Sequence, residues 1–344
     1  FRVDNLIVKS ETGDGEIPDE PDTDVAGREI IARQDFSVPS PDSLGQSIFG
    51  WNDWSLRNKP VSPAMYWTIE ADPDNKEGVP FTESNQVMRA RRVKVGSANE
   101  WAIFFAKAGG ESVEARGEVH LKFRIKQESA ENNFILRVRN NQAGDGWGNT
   151  LVSFIIRPSG QVIETASGWQ PIGKFSPKAW NTLELVINTE TKAYDLYVNG
   201  TKGNETSLPL AGNGDGYDPH VSVLDLDIEK ASKGENVWYI DDLEIWTDHT
   251  EELKEKAELL RSALLSGEIN GDIALPQPEM GAEYSIKWES SNPAAVAADG
   301  KVTKRGWRQQ ASLTATITRN ADIPYVQNAS AKCRFDFVVL PNES

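Results

Sequence analysis

The sequence AWNTLELVINTETKAYDLYVNG, residues 179–200, decides the fold class of most of the chain. Leu183 and Leu185 alternate with polar residues, and after a short polar turn Tyr194 and Leu196 repeat the alternation. A period of two places successive side chains on opposite faces of a β-strand. The stretch therefore predicts two antiparallel strands, each with one packed face and one solvated face.

The same period continues on both sides of this stretch, from residue 29 to residue 247, and no helical period competes with it. It is clearest in VHLKFRIK (119–126), NFILRVRN (133–140), HVSVLDLDIE (220–229) and WYIDDLEIW (238–246). Strands of this kind, separated by turn sequences, are typical of two packed antiparallel sheets. We therefore predict an all-β fold in which residues 29–247 form an antiparallel jelly-roll β-sandwich.

The period changes after residue 247. In DHTEELKEKAELLRSALLSG, residues 248–267, four apolar residues share one helix face (Leu253, Ala257, Leu260 and Leu264). Asp248 and Glu251 have the spacing of a capping box, so we predict one connecting helix over 248–267. Alternating strands return over 268–344, which predicts a smaller β-sandwich.

The first ten residues, FRVDNLIVKS, align without a gap with WYIDDLEIWT at 238–247. Because the second copy closes a domain, we predict that residues 1–10 are the last strand of a preceding jelly-roll domain. The alternative is an edge strand added to one of the sheets of this chain. Residues 11–28 are acidic and hold two prolines, which predicts an extended linker.

Composition excludes several functions. The net charge of −16 argues against general binding to nucleic acid or anionic lipid. No apolar run is long enough to predict a membrane span. A single cysteine, Cys333, excludes internal disulfides and lies in a strand pattern that predicts a buried thiol. The positive feature is the presence of 11 tryptophans.

Two stretches resemble known families. Residues 284–318 combine a Trp288 strand, SSNP (290–293), AADGKVT (297–303) and ASLTATIT (311–318), and this pattern resembles the atrophied bacterial immunoglobulin-like domain. Residues 179–200 and YIDDLEIW (239–246) resemble concanavalin A-like jelly rolls related to laminin G-type modules. These resemblances imply a multi-domain protein, secreted or at the bacterial cell surface, of the kind that degrades polysaccharides.

Carbohydrate binding uses aromatic rings against the C–H faces of sugars, with polar side chains beside them. Four tryptophans lie in polar, loop-like sequence and are the predicted ring platforms: Trp51, Trp54, Trp147 and Trp169. The structural alternative is that each fills space beneath a loop. Trp180, Trp238 and Trp288 follow the apolar phase, so they are expected in the cores.

Local charge suggests which glycan would bind. Residues 87–157 contain more Lys and Arg than Asp and Glu, and the alternation places Lys122, Arg124, Arg137 and Arg139 on one face of consecutive strands. Because Arg pairs bidentately with carboxylates, an acidic, uronate-containing glycan is predicted. The alternative is a solvated face balanced by acids such as Asp225.

Catalysis is the competing hypothesis. The E-x-D-x-x-E strand of retaining glycosidases with this fold is absent, and the row Asp225, Asp227 and Glu229 is expected to be a solvated face. His120 beside Arg124 and Arg137 could serve a polysaccharide lyase, although the usual strand signatures of those enzymes are missing. A catalytic jelly roll, as lyase or hydrolase, therefore stays as an alternative.

The jelly-roll resemblance also implies one structural calcium. Asp35 and the pair Asp241 and Asp242 are the predicted ligands, with Asp215 and Asp218 as a second choice. The consecutive acids interrupt the alternation, which predicts a β-bulge at that point.

Together these features predict a noncatalytic carbohydrate-binding accessory region of a secreted bacterial polysaccharide-degrading enzyme. Its expected partners are a polysaccharide, with an acidic glycan as the specific hypothesis, and other domains of the same precursor, with no nucleic acid. A structural cell-surface spacer without a ligand is the remaining alternative.

Overall fold

The computed structural model describes residues 23–34, 36, 54–56, 65–74, 86–93, 102–108, 111–112, 114–140, 150–166, 168–211, 218–229, 234–277, 280–320 and 327–342. The chain divides into two compact units. The larger unit comprises residues 27–250 and 319–329, and the smaller unit contains residues 23–26, 251–318 and 330–342. No described helix is both long and apolar enough to cross a membrane.

The larger unit contains two antiparallel sheets. The nine-stranded sheet is built from β2 (Arg28–Gln34), β4 (Met65–Ala71), β5 (Gln86–Val93), β8 (Glu118–Ser129), β13 (Trp180–Asn188), β14 (Ala193–Val198), β15 (Thr201–Lys202), β16 (Leu208–Pro209) and β18 (Glu235–Asp248). Its order is β15-β14-β13-β8-β18-β5-β4, with β16 beside β14 and β2 beside β18.

The second sheet has eight strands. They are β3 (Trp54–Leu56), β6 (Ala102–Ala108), β7 (Glu111–Ser112), β9 (Phe134–Arg139), β10 (Thr150–Ile156), β11 (Gln161–Glu164), β12 (Pro171–Lys174) and β17 (Val223–Ile228). The order is β12-β11-β10-β9-β17-β6-β3, with β7 beside β6. The chain passes from one sheet to the other between β8 and β9.

One continuous apolar core joins the two sheets. Leu121 and Phe123 of β8 lie in the same buried cluster as Leu136 of β9 and Leu226 of β17. Trp238 of β18 is fully buried there, with its ring centroid 5.3 Å from that of Phe134. Each of these residues occupies the apolar phase of its strand, so the predicted all-β sandwich is confirmed.

The hairpin of β13 and β14 forms as the sequence predicts, with Leu185 opposite Leu196. The side chain of Asn188 closes the turn, because its Oδ1 accepts hydrogen bonds from the amides of Glu190, at 3.1 Å, and Thr191, at 2.8 Å. Such Asx turns are a common way to reverse a strand. Trp180, expected in the core, is instead half-buried in the outward phase, beyond the end of the apolar run.

The smaller unit consists of a five-stranded sheet and most of one helix. Its elements are β1 (Thr23–Ala26), α1 (Thr250–Ala263), β19 (Gly267–Ile269), β20 (Tyr284–Ser290), β21 (Gln309–Arg319) and β22 (Ser330–Val339). The order is β1-β22-β21-β20, with β19 parallel to β22. Strand β1 and Arg28, the first residue of β2, lie inside the stretch 11–28 that is predicted to be a linker. They are in strands because their backbones pair with β22 and β18, far along the chain.

Helix α1 begins where the capping residue predicts. The amide of Thr250 donates to Oδ1 of Asp248 at 2.8 Å. Leu253, Ala257 and Leu260 form its buried face. Cys333 of β22 is fully buried, and burial raises the pKa of its thiol, as expected for a structural cysteine.

Candidate functional site

Trp169 is the most exposed large apolar residue of the larger unit that the structure describes, with 65% of its surface accessible. It lies in the turn between β11 and β12, which is closed by a 2.8 Å hydrogen bond from the amide of Glu164 to the carbonyl of Gln170. Its φ of 58° lies in the left-handed region, which is unfavourable for a large side chain. The indole is therefore held toward solvent by the turn.

A row of polar residues begins at this turn and crosses the eight-stranded sheet. Thr165 Oγ1 lies 2.7 Å from Ser153 Oγ. Ser153 is opposite Arg137 on the next strand, and Arg137 is opposite Asp225 on β17. These positions alternate with core residues, so they share the outer face of the sheet. Trp169, in the turn between β11 and β12, lies at the edge of that face.

The charged residues of the outer face are buried. Arg139 is 3% exposed and Asp225 is 1% exposed, with Nε of the arginine 3.2 Å from Oδ2 of the aspartate. Oδ1 of Asp227 lies 3.4 Å from Nη1 of Arg92, and both side chains are buried. The prediction of a solvated acidic row is therefore wrong in its exposure, although its strand phase is correct.

Arg124 does not share this face. It belongs to β8 of the nine-stranded sheet, whereas Arg137 and Arg139 belong to β9 of the other sheet, so the single cationic face predicted from alternation does not exist. The guanidinium of Arg124 pairs with Asp241 and, at 2.6 Å, with Asp242. It also lies over an indole, with Cζ 5.0 Å from the ring centroid of Trp180.

The predicted bulge at the paired aspartates is present, since the register of β18 against β8 shifts between Asp241 and Glu244. Arg124 already supplies a positive charge between Asp241 and Asp242, so these two carboxylates alone do not fit a calcium ion. Among the described residues, no group of three or more potential metal-binding side chains occurs. Asp35 lies outside the described residues, and the calcium site stays a prediction.

Three other predicted residues also fall outside what the structure describes. Trp51, Trp147 and Asp215 belong to undescribed segments. Only the backbone of Trp54 is described, in β3 opposite Ala106. Trp169 is therefore the one predicted platform whose side chain can be placed.

Burial gives Asp227 an unusual ionisation. It raises the pKa of this carboxyl from 3.8 to about 6, although Arg92 and Arg137 act in the opposite direction. A raised pKa means that the folded state binds the proton more tightly than the unfolded state. The carboxyl is protonated in both states at low pH, so its unfavourable contribution to folding develops as pH rises from about 4 to 6.

We expect Asp227→Asn to remove this pH dependence. The free energy of unfolding of the wild type should fall relative to that of the variant by about 2.4 kcal/mol between pH 4 and pH 7. Urea unfolding at four pH values measures this difference. Glu205→Gln, which changes an exposed carboxylate of the same unit, is the control. A difference that does not vary with pH would contradict the assignment.

A second feature, a cleft in the larger unit, is not predicted from the sequence, although one of its residues, Asp218, is the second-choice calcium ligand. It has a volume of about 450 Å³ and is formed by Arg116, Gly117, Thr189, Glu190, Lys192, Asp218 and Pro219. These residues come from three connections that are distant in sequence. None belongs to a recognisable motif, so only the tertiary structure brings them together.

Several solved structures share features of this fold. A sialidase is 10% identical, with 72% of this chain and 22% of that chain covered and a TM-score of 0.37. The catalytic domain of a glycoside hydrolase family 131 protein from Coprinopsis cinerea is 14% identical, with 63% and 94% covered and a TM-score of 0.40. An alginate lyase from polysaccharide lyase family 7 is 8% identical, with 57% and 94% covered and a TM-score of 0.37. The chain thus spans 22% of the length of the sialidase that it matches.

The smaller unit has a family match. No curated protein sequence matches the chain. Residues 260–341, however, match the family model of the atrophied bacterial Ig domain, and this range includes β19 to β22 and the Trp288 strand on which the resemblance was based. The chain therefore combines an all-β jelly-roll sandwich with an immunoglobulin-like domain, as its sequence predicts.

Proposed function

We propose that this chain is a noncatalytic carbohydrate-binding region of a secreted or cell-surface bacterial protein that acts on polysaccharides. The observation that carries the proposal is the exposed indole of Trp169, held in a left-handed backbone conformation at the edge of a sheet face. Unfavourable backbone conformations persist where the surrounding structure imposes them, and they concentrate at functional sites. An indole exposed in this way offers a flat apolar surface to a sugar ring.

The described arginines contribute less to the proposal than the indole does. Arg124 is paired with two aspartates, and Arg139 is buried beside Asp225. An anionic sugar would have to compete with these carboxylates for the same guanidinium groups. Selectivity for a uronate-containing glycan therefore stays a prediction, and both neutral and acidic polymers belong in the test.

Replacing Trp169 with alanine should weaken retention by polysaccharide at least tenfold. Covering about 100 Å² of the indole contributes about 2.5 kcal/mol, which corresponds to roughly sixty-fold in affinity. Affinity gel electrophoresis in xylan, glucomannan, polygalacturonate and alginate measures the change. Trp307→Ala is the matched control, because Trp307 is 59% exposed in the other unit.

Two results would contradict the proposal. One is that no polymer retards the wild-type protein. The other is equal retardation of Trp169→Ala and the wild type. Added salt separates the two glycan classes, since binding through charge weakens as ionic strength rises, whereas stacking on the indole changes little.

One observation bears on the second candidate function, glycoside hydrolysis, although both carboxylates concerned are buried. Asp225 and Asp227 lie two residues apart on the same face of β17, and the pKa of Asp227 is raised to about 6. Hydrolases require two carboxylates in different protonation states. Release of reducing ends from any of the four polymers, abolished by Asp227→Asn, would favour this activity over simple binding.

A further inference from the structure

The cleft formed by Arg116, Asp218 and their neighbours lies outside the surface proposed to bind carbohydrate through Trp169. Its floor is rigid. The amide of Thr189 donates to the carbonyl of Gly117 at 2.9 Å, and the amide of Gly117 donates to Oγ1 of Thr189 at 2.8 Å. Gly117 has a φ of 77°, and a Cβ at this position would meet no atom within 4 Å. The space beside Gly117 is thus open.

An oriented ion pair forms one wall of the cleft. Arg116 donates from both Nη atoms to the carboxylate of Asp218, with a distance of 2.7 Å between Nη2 and Oδ2. Nη2 also donates to Oε2 of Glu114 at 3.1 Å. The hydrogen bond from Arg116 lowers the pKa of Asp218, so this carboxylate stays ionised at neutral pH.

The pair leaves hydrogen-bonding capacity for a ligand. Each carboxylate oxygen of Asp218 can accept a further hydrogen bond, and a guanidinium carries five N–H donors. The Asp218 and Arg116 side chains are 68% and 45% exposed. Adjacent hydroxyl groups, each of which both donates and accepts, match this arrangement of neighbouring acceptors and donors.

The charge of the lining selects among ligand classes. Two cations, Arg116 and Lys192, face two acids, Glu190 and Asp218, so the charges of the lining residues balance. An anion or a cation gains little from such a surface, whereas a neutral, hydroxyl-rich molecule can use both kinds of partner. Pro219 adds an apolar surface, which suits the C–H face of a sugar ring.

We propose that this cleft is a second carbohydrate site, which binds one or two sugar units of a neutral glycan through Asp218 and Arg116. Its volume of about 450 Å³ lies within the usual range of small-ligand sites. The inference rests on the proposed carbohydrate-binding function but does not depend on Trp169. Exposed ion pairs contribute little to folding, so variants of Asp218 are expected to fold normally.

Isothermal titration calorimetry of the full chain tests the proposal. The probes are neutral hexasaccharides of xylose, glucose and mannose, with hexagalacturonate as the acidic comparison. The wild type should bind a neutral hexasaccharide at two sites. Asp218→Asn should weaken one of these sites at least tenfold and leave the other unchanged, because hydrogen bonds to a charged group are strong. Asp299→Asn changes an exposed aspartate of the other unit and is the matched control.

The outcomes separate the two proposals. If Asp218→Asn removes one site and Trp169→Ala removes the other, both proposals are supported. Unchanged binding by Asp218→Asn overturns the cleft, and unchanged binding by Trp169→Ala overturns the indole platform. Binding of hexagalacturonate alone overturns the neutral class, and binding of no hexasaccharide overturns the cleft site entirely.

Discussion

Replacing Trp238 with alanine should lower the free energy of unfolding of the jelly-roll unit by about 3–5 kcal/mol. Trp238 is fully buried in the core between the two sheets. Its ring lies against two others, with centroids 5.3 Å from Phe134 and 6.1 Å from Phe175. Alanine would leave a cavity among these rings, because a β-sandwich held by paired strands collapses only partly into such a space.

Trp238→Phe is the graded comparison. The indole Nε1 of Trp238 is buried and has no hydrogen-bond partner among the described residues. Phenylalanine removes this polar group and keeps most of the apolar contact, so it should cost clearly less than alanine. Trp169→Ala serves as the exposed control, expected within about 0.5 kcal/mol of the wild type.

Denaturant unfolding followed by circular dichroism measures these differences, with calorimetry used to separate the transitions of the two units. A loss below about 1 kcal/mol for Trp238→Ala would contradict the packing described here. An equal loss for Trp238→Phe would show that the indole N–H has a role in stability.

The second large effect concerns the buried ion pair on the outer face of the eight-stranded sheet. Asp225→Ala should destabilise the unit by about 3–5 kcal/mol, because it removes the carboxylate 3.2 Å from Nε of the buried Arg139. Arg139→Ala should have a similar effect, since the carboxylate then loses the guanidinium whose Nε lies 3.2 Å from Oδ2. The cost in each case arises from a charge that is buried without its counter-charge.

A double variant distinguishes this electrostatic cost from simple loss of packing. Asp225→Leu combined with Arg139→Met replaces both charges with apolar groups of similar size, and the single variants Asp225→Leu and Arg139→Met complete a double-mutant cycle. If the charges are the cause, the double variant should be more stable than either single alanine variant. Additive losses in the double-mutant cycle would instead indicate two independent packing defects.

The sequence predicted local structure well where neighbouring residues determine it. The hairpin from Trp180 to Val198 and the start of α1 after Asp248 depend on periodicity, a turn and a cap, all of which are visible in a few residues. The same alternation correctly placed Asp225 and Asp227 on the outward phase of β17.

Alternation could not assign strands to sheets. It shows which face of its own strand a residue occupies and therefore predicts one surface for Arg124 and Arg137, whereas the chain changes sheets between β8 and β9. Exposure is also a tertiary property, which is why the outward phase of β17 is buried. In the cleft Arg116 donates a hydrogen bond to Asp218, 102 positions away, and no local sequence pattern predicts such a contact.

Strand β1 has a consequence for how the immunoglobulin-like domain matures. Thr23 lies opposite Cys333, so the last strand of this sheet completes its edge with residues synthesised more than three hundred positions earlier. Ribosomal synthesis releases residues 27–250 first, and β1 must wait until β22 emerges. A fragment beginning after residue 250 would lack β1 and expose the edge of β22 from Ser330 to Cys333, a surface on which a neighbouring molecule could pair and aggregate.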